Sequence, residues 1–211
     1  MGDLHPVTIV IIITNVLFSM KGFKDYSFFE KYKFNIGAIR RGEQIRMLSS
    51  AFLHANTQHL LFNMLSLFFF ANAVIYRLGV VNFVLIYITS LIVGNLLSYY
   101  FHKNEYHYSA VGASGAVMGI VYAGILLNPG LTINFFIPGW LFGVGYMIYT
   151  IYGMVKKNDN IGHDAHFGGA IGGYLITLFM APSLLQTSLL MVIILAIPIV
   201  ILFVLIKMDK I

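Results

Sequence analysis

Ala110-Val-Gly-Ala-Ser-Gly-Ala-Val-Met-Gly119 sets one serine, Ser114, among glycines at 112, 115 and 119, and it opens an apolar segment that must stop at Asn128-Pro129. That leaves about 15 residues, or roughly 22 Å of helix, against a hydrocarbon core of roughly 30 Å. The segment is too short to span a bilayer unaided. Its serine end is therefore expected below its own membrane surface, reached by non-helical backbone that is tolerated only inside protein or beside a water-filled cavity. A close-packing seam and a nucleophile with room around it both fit such a stretch.

The bilayer is the right solvent because 59% of the 211 residues are hydrophobic and 10% charged, with a mean hydropathy of +0.83. Too little polar surface exists to coat a water-soluble globule, and the apolar runs are far longer than core strands. In hydrocarbon each backbone amide must be satisfied within its own segment or barrel, and long runs without alternation specify helices. The fold class expected is an all-α polytopic membrane protein without strands. With no cysteine, disulfides, a thiol nucleophile and thiolate metal sites are excluded, so chemistry falls to Ser, His, Asn or carboxylates. No cofactor or metal is expected. A net charge of +5 points to anionic lipid head groups rather than nucleic acid, because the basic residues cluster in one loop beside the bilayer.

The first run, Val7 to Met20, has no basic leader and no small-residue cleavage site, so it is expected to remain as an anchor. A loop over 21–58 follows, holding Lys21, Lys24, Lys31, Lys33, Arg40, Arg41 and Arg46 with aromatics that suit a membrane-lying segment. Six more apolar segments come at about 59–78, 80–101, 114–128, 135–155, 165–181 and 184–206, seven helices in all. The last is expected outside the core, with Leu195 on its exposed half.

Helices two, four and six run in the same direction, so their N-terminal ends open on one membrane face. Helix two begins with His59 and carries Asn63 one turn on, helix four begins with Ser114, and helix six begins with His166. Taken alone, glycines four apart at 115/119, 168/172 and 169/173 are packing seams, and His59 and Asn63 are interhelical hydrogen-bond glue. Packing and chemistry nevertheless call for the same contact, since glycine faces on helices four and six would carry His166 toward Ser114. A serine hydroxyl needs a neighbouring imidazole to take its proton, and a histidine is neutral and competent near pH 7. Donors for an oxyanion are available from the Ser114 backbone amide and the His59 and Asn63 side chains. Asp164, two residues before His166, does not share its helical face and reads as a loop carboxylate.

The three motifs His54-Ala-Asn-Thr-Gln-His59-Leu-Leu-Phe-Asn63, Gly112-Ala-Ser-Gly115 and Ala165-His-Phe-Gly-Gly-Ala-Ile-Gly-Gly173, in that order, resemble the rhomboid family of intramembrane serine proteases over roughly residues 5 to 183. The resemblance implies Ser114 as nucleophile, His166 as general base, and His59 and Asn63 with the Ser114 amide in the oxyanion hole. His54, Gly112, Gly115, Gly169 and Gly173 support the site. It also implies a six-helix core over 1–183 with a membrane-lying first loop, a water-filled cavity, and cleavage of transmembrane protein substrates. The C-terminal helix and tail, 184–211, resemble the six-plus-one arrangement of some members. Two positions depart from the family pattern. Glu43-Gln-Ile-Arg46 has Ile45 where a tryptophan is common, and Met118 stands where an aromatic often packs on the histidine.

The basic first loop would face the cytoplasm by charge counting, whereas the family arrangement puts it outside; we follow the family, because long folded loops obey charge counts poorly. The expected setting is the plasma membrane of a prokaryote. The competing reading is a catalytically silent rhomboid-like protein that binds client transmembrane helices, but such proteins typically lose the serine or histidine. A transporter would want charged residues within the spans, and these are absent. No His-Glu-x-x-His offers a zinc site, and Gly112-Ala-Ser-Gly-Ala116 lacks the last glycine of a nucleophile elbow.

Overall fold

Helix α6, Ser114–Leu127, has no polar face, and every residue from Gly115 to Leu127 is buried. A helix apolar all round is stable only when enclosed. The computed structural model describes residues 3–133, 136–156, 161–208 and 210–211. In it α6 is wrapped chiefly by α5, Thr57–His102, and α8, His163–Met180, which also pack on each other. Gly79 divides α5 into limbs 57–78 and 80–102 with φ 80° and ψ 168°, a conformation open essentially to glycine. Helix α1, Pro6–Lys24, lies against α5, while α7, Gly139–Lys156, packs on α8 and α6. The short α9, Leu184–Thr187, leads to α10, Leu189–Lys207, which rests mainly on α7. Among the described residues α1, α5 and α10 are long and apolar enough to cross a membrane, and α6 is a shorter apolar helix. The chain is a largely helical multi-pass membrane protein.

Glycine sets how closely the three central helices meet. A Cβ on Gly169 of α8 would strike the carbonyl of Gly115 on α6, and one on Gly173 would strike the backbone of Gly119. The neighbouring row faces α5, where a Cβ on Gly168 would stand 2.8 Å from the Val93 carbonyl and one on Gly94 only 2.6 Å from that of Ala165. Backbones thus touch directly on two sides of α8, the geometry that small-xxx-small spacing allows in lipid.

The first loop is folded. Asp25 caps α2, Tyr26–Tyr32, by accepting from the Phe28 amide at 3.0 Å. Asn35 caps α3, Ile36–Arg40, and the short α4, Arg46–Ser49, follows. Among the described residues, two ladders of two residues each amend the expectation of no strands. In one, β1 (Phe34–Asn35) pairs antiparallel with β2 (Ser109–Ala110), tying the loop to the chain just before Ser114. The other joins β3 (Thr132–Ile133) to β4 (Ile137–Pro138). Phe34 and Ile36 are wholly buried in a small satellite core. Arg46 is buried as well, held by Glu43 at 2.7 Å and by the carbonyls of Glu30 and Lys33. Ile45, at the position where a tryptophan is common, is 61% exposed, so Arg46 and the β1–β2 pair anchor the loop.

Leu195 corrects the reading of the last helix. It is fully buried, in van der Waals contact with α7 beside Gly143, whose missing Cβ makes room for Ile125 of α6. The lipid-exposed face of α10 includes Leu190 instead, 67% exposed.

His54 locks the chain before α6. Ser19 Oγ donates to the Phe52 carbonyl at 3.0 Å, so the 2.8 Å contact with His54 Nδ1 has the imidazole N–H donating to Ser19. That leaves Nε2 to accept the Ala113 amide at 3.4 Å. The hydrogen-bond chain requires a neutral ring. Burial, followed by the nearby His59, pushes the His54 pKa down to about 3.

Two outcomes are expected. Gly169→Ala should destabilise the protein by roughly 1–3 kcal/mol, seen as a lowered Tm in detergent, while Leu190→Ala on the exposed face should leave Tm unchanged. Because the His54 pKa is lower folded than unfolded, its stabilisation is full above about pH 6.5 and is lost as pH falls toward 3. His54→Gln should therefore lower Tm at pH 7.5 and flatten the decline of Tm between pH 7 and 5. An unchanged decline would assign that pH dependence elsewhere.

Candidate active site

The chain reaches Ser114 through β2 and an extended turn that is fixed from both sides. The Gly112 amide donates to the Ser50 carbonyl at 3.0 Å, and the next amide, of Ala113, is held by His54. Gly112 has φ +132°, and a Cβ there would lie 2.7 Å from the His59 ring and 3.5 Å from Ser114 Oγ. Both the backbone angle and the ring demand glycine. Helix α6 then starts with Ala113 as its cap and no side-chain cap bond. Its first amides have no intrahelical acceptor, and the positive end of its dipole falls at Ser114.

Helix α8 delivers the base. With the α8 backbone against α6 at Gly169 and Gly115, His166 Nε2 lies 2.7 Å from Ser114 Oγ. Its other nitrogen, Nδ1, meets the Tyr146 hydroxyl of α7 at 3.1 Å. For Nε2 to accept the serine proton, Nδ1 must carry the hydrogen and donate it to Tyr146 Oη, so the phenol oxygen favours the competent tautomer. Tyr146 was not singled out from the sequence. The family pattern points to the position four residues after the serine, where Met118 stands, and α7 carries three tyrosines, 146, 149 and 152, with no local signal that marks the first.

His59 and Asn63 share a face of α5. The His59 ring sits against Gly112 beside Ser114 and meets the His54 ring edge-on at 5.0 Å. Asn63 is buried one turn along and donates one amide hydrogen to the His59 carbonyl at 3.1 Å, leaving a second hydrogen in its donor set. Asp164 is not a loop carboxylate. It lies buried in the first turn of α8, where Tyr108 donates to it at 3.3 Å and His102 approaches to 3.7 Å. A negative side chain is favourable at a helix N-terminus, and these contacts pin the start of α8 to the end of α5.

This arrangement offers a hydroxyl with an adjoining base, an oriented imidazole, and amide donors at a helix start. Among the described residues no group of three or more His, Asp or Glu is placed to hold a metal ion.

The Rhomboid domain family model matches residues 41–183, which take in the elements from α4 to α8. The chain is 37% identical over 150 residues to the rhomboid protein YdcA of Bacillus subtilis, covering 68% of this chain and 70% of that one. It is 34% identical over 140 residues to the rhomboid protease GluP of the same organism, covering 64% of this chain but 26% of GluP. Rhomboid protein 1 of Saccharomyces cerevisiae, a mitochondrial protein, is 28% identical over 183 residues, 81% of this chain and 53% of the yeast protein. The chain thus spans most of YdcA and about half or less of the other two. Together with the arrangement around Ser114 and His166, these matches identify the chain as a member of the rhomboid family.

Proposed function

We propose that the protein is an intramembrane serine endopeptidase that hydrolyses peptide bonds in or near the transmembrane helices of other membrane proteins. The observation that carries this reading is the 2.7 Å contact between Ser114 Oγ and His166 Nε2 at the uncapped start of α6. Ser114 Oγ attacks the scissile carbonyl as His166 Nε2 takes its proton. The resulting imidazolium keeps its Nδ1–H on Tyr146, and the tetrahedral oxyanion is met by the Ser114 amide and the His59 and Asn63 side chains. His166 then protonates the leaving amine, and a water deprotonated by the same nitrogen cleaves the acyl-enzyme. A peptide bond inside a helix is shielded, so substrates carry glycine, proline or other helix-weakening residues near the cut.

The reading extends to the whole chain. Residues 1–183 form the six-helix catalytic core and 184–211 the added helix, in the plasma membrane of a prokaryote. Retention of both reacting groups in contact favours the protease over a silent client-binding relative.

The test uses purified protein in detergent with a panel of transmembrane peptides. Ser114→Ala and His166→Ala should each abolish cleavage with Tm preserved, because the pair acts as one unit. Asn63→Ala should lose roughly 10²–10³ in rate, the usual cost of one oxyanion donor. Tyr146→Phe should lower kcat by roughly tenfold with KM unchanged, the cost of one hydrogen bond to the base. Wild-type turnover in Ser114→Ala would refute the assignment.

A further inference from the structure

Helix α2 separates two cavities of opposite character. On one side, Ser27, Glu30 and Lys31 face a polar cavity of about 600 Å³ that also takes in Lys33, Arg41 and Arg46. On the other, Phe28 and Tyr32, four apart on the same helix, face an apolar cavity of about 400 Å³ with Phe18, Leu48 and Phe52. Spacings of three and four gather each set on its own face of a single helix, and the one-residue offset turns the two faces about 100° apart. Helix α4 repeats the division, with Arg46 turned to the polar side and Ile45 and Leu48 to the apolar side.

The charges in the polar cavity do not balance. Among the described residues, four cationic side chains line it against the one carboxylate of Glu30. Glu30 is taken by Lys33 at 2.6 Å, and Arg46 is held by Glu43. Arg41 has only a 4.0 Å approach to Glu43 and a side chain 70% exposed, and Lys31 Nζ lies 5.3 Å over the Tyr32 ring. Among the described residues, Lys31 and Arg41 therefore face the cavity without a close carboxylate, beyond the two cations that Glu30 and Glu43 hold. The apolar cavity opens on the other side beside α1, whose Val10 and Leu17 are more than 60% exposed, as lipid-facing side chains are. Phe18 meets both Phe28 and Phe52 at ring separations of 6.0 and 5.7 Å, which keeps that wall aromatic. Lys21 and Lys24 in the last turn of α1 mark the head-group level between the two.

The geometry points to a binding site for one anionic phospholipid, its phosphate in the polar cavity against Lys31 and Arg41 and an acyl chain in the aromatic cavity beneath α2. A zwitterionic lipid would leave the surplus charge unmatched, and a free anion would leave the apolar cavity unfilled. Guanidinium and ammonium donors suit a phosphodiester, and the chain adds apolar burial that a soluble anion lacks. This site stands apart from Ser114 and His166 and does not depend on the proposed proteolysis. It gives the basic residues of the first loop a local ligand on that membrane face.

The test incubates the full-length protein in detergent with equal phosphatidylglycerol and phosphatidylcholine of matched chains, removes free lipid by gel filtration, and counts retained lipid by mass spectrometry. Wild type should retain phosphatidylglycerol over phosphatidylcholine by roughly thirtyfold, on the scale of two interfacial cations. Lys31→Gln/Arg41→Gln, both surface changes, should abolish that preference, whereas Lys24→Gln, outside the cavities, should keep it. Equal retention of the two lipids by wild type would overturn the proposal. So would an equal loss in Lys24→Gln, which means diffuse attraction, or displacement of the lipid by millimolar glycerol phosphate, which means an anion site without a chain.

Discussion

The structure depends on backbone meeting backbone where α8 crosses α6. At Gly115 and Gly169 no Cβ fits on Gly169, and the same holds one turn on at Gly119 and Gly173. In lipid no hydrophobic force drives helices together, so contact of this kind supplies much of the packing. It also sets the distance between Ser114 and His166, each one turn or less from the crossing. Structural and chemical constraints therefore fall on the same four glycines.

Around that crossing the remaining devices hold the two ends in register. Gly112 gives room to the His59 ring, and His54 and Ser50 take the amides on either side of the bend. The β1–β2 pair ties this bend to a first loop that is itself closed by the buried Arg46. On α8, Asp164 fixes the helix start to Tyr108 and His102, while Tyr146 reaches in from α7 to the far nitrogen of His166. Ser114 is thus positioned by α1, α5 and the first loop, and His166 by α5, α6 and α7.

Much of this was legible in the sequence because lipid leaves few options. Apolar run lengths set the helices, the break at Asn128-Pro129 set the short α6, and glycines four apart marked the faces that touch. Side chains whose partners come from distant segments were less legible. Asp164 read as a loop residue because no local signal shows that Tyr108 and His102 wait for it. Tyr146 was missed for the same reason: a tyrosine in an apolar helix is common at an interface, and only the packing of α7 brings it to His166. Leu195 read as exposed because α10 is apolar on all sides and carries no polar stripe to indicate which side faces protein. The two-residue strands are too short to leave a period.

The central claim is that the glycine crossing, by setting the distance from His166, makes Ser114 reactive. Its most direct test is the rate at which a serine-directed fluorophosphonate modifies Ser114, followed by mass spectrometry, in wild type and in Gly169→Ala with every reacting group intact. A shift of about 1 Å between base and nucleophile should slow labelling by on the order of 10²-fold. Equal labelling rates in the two proteins would show that the crossing does not govern the reactivity of Ser114, and would contradict the account.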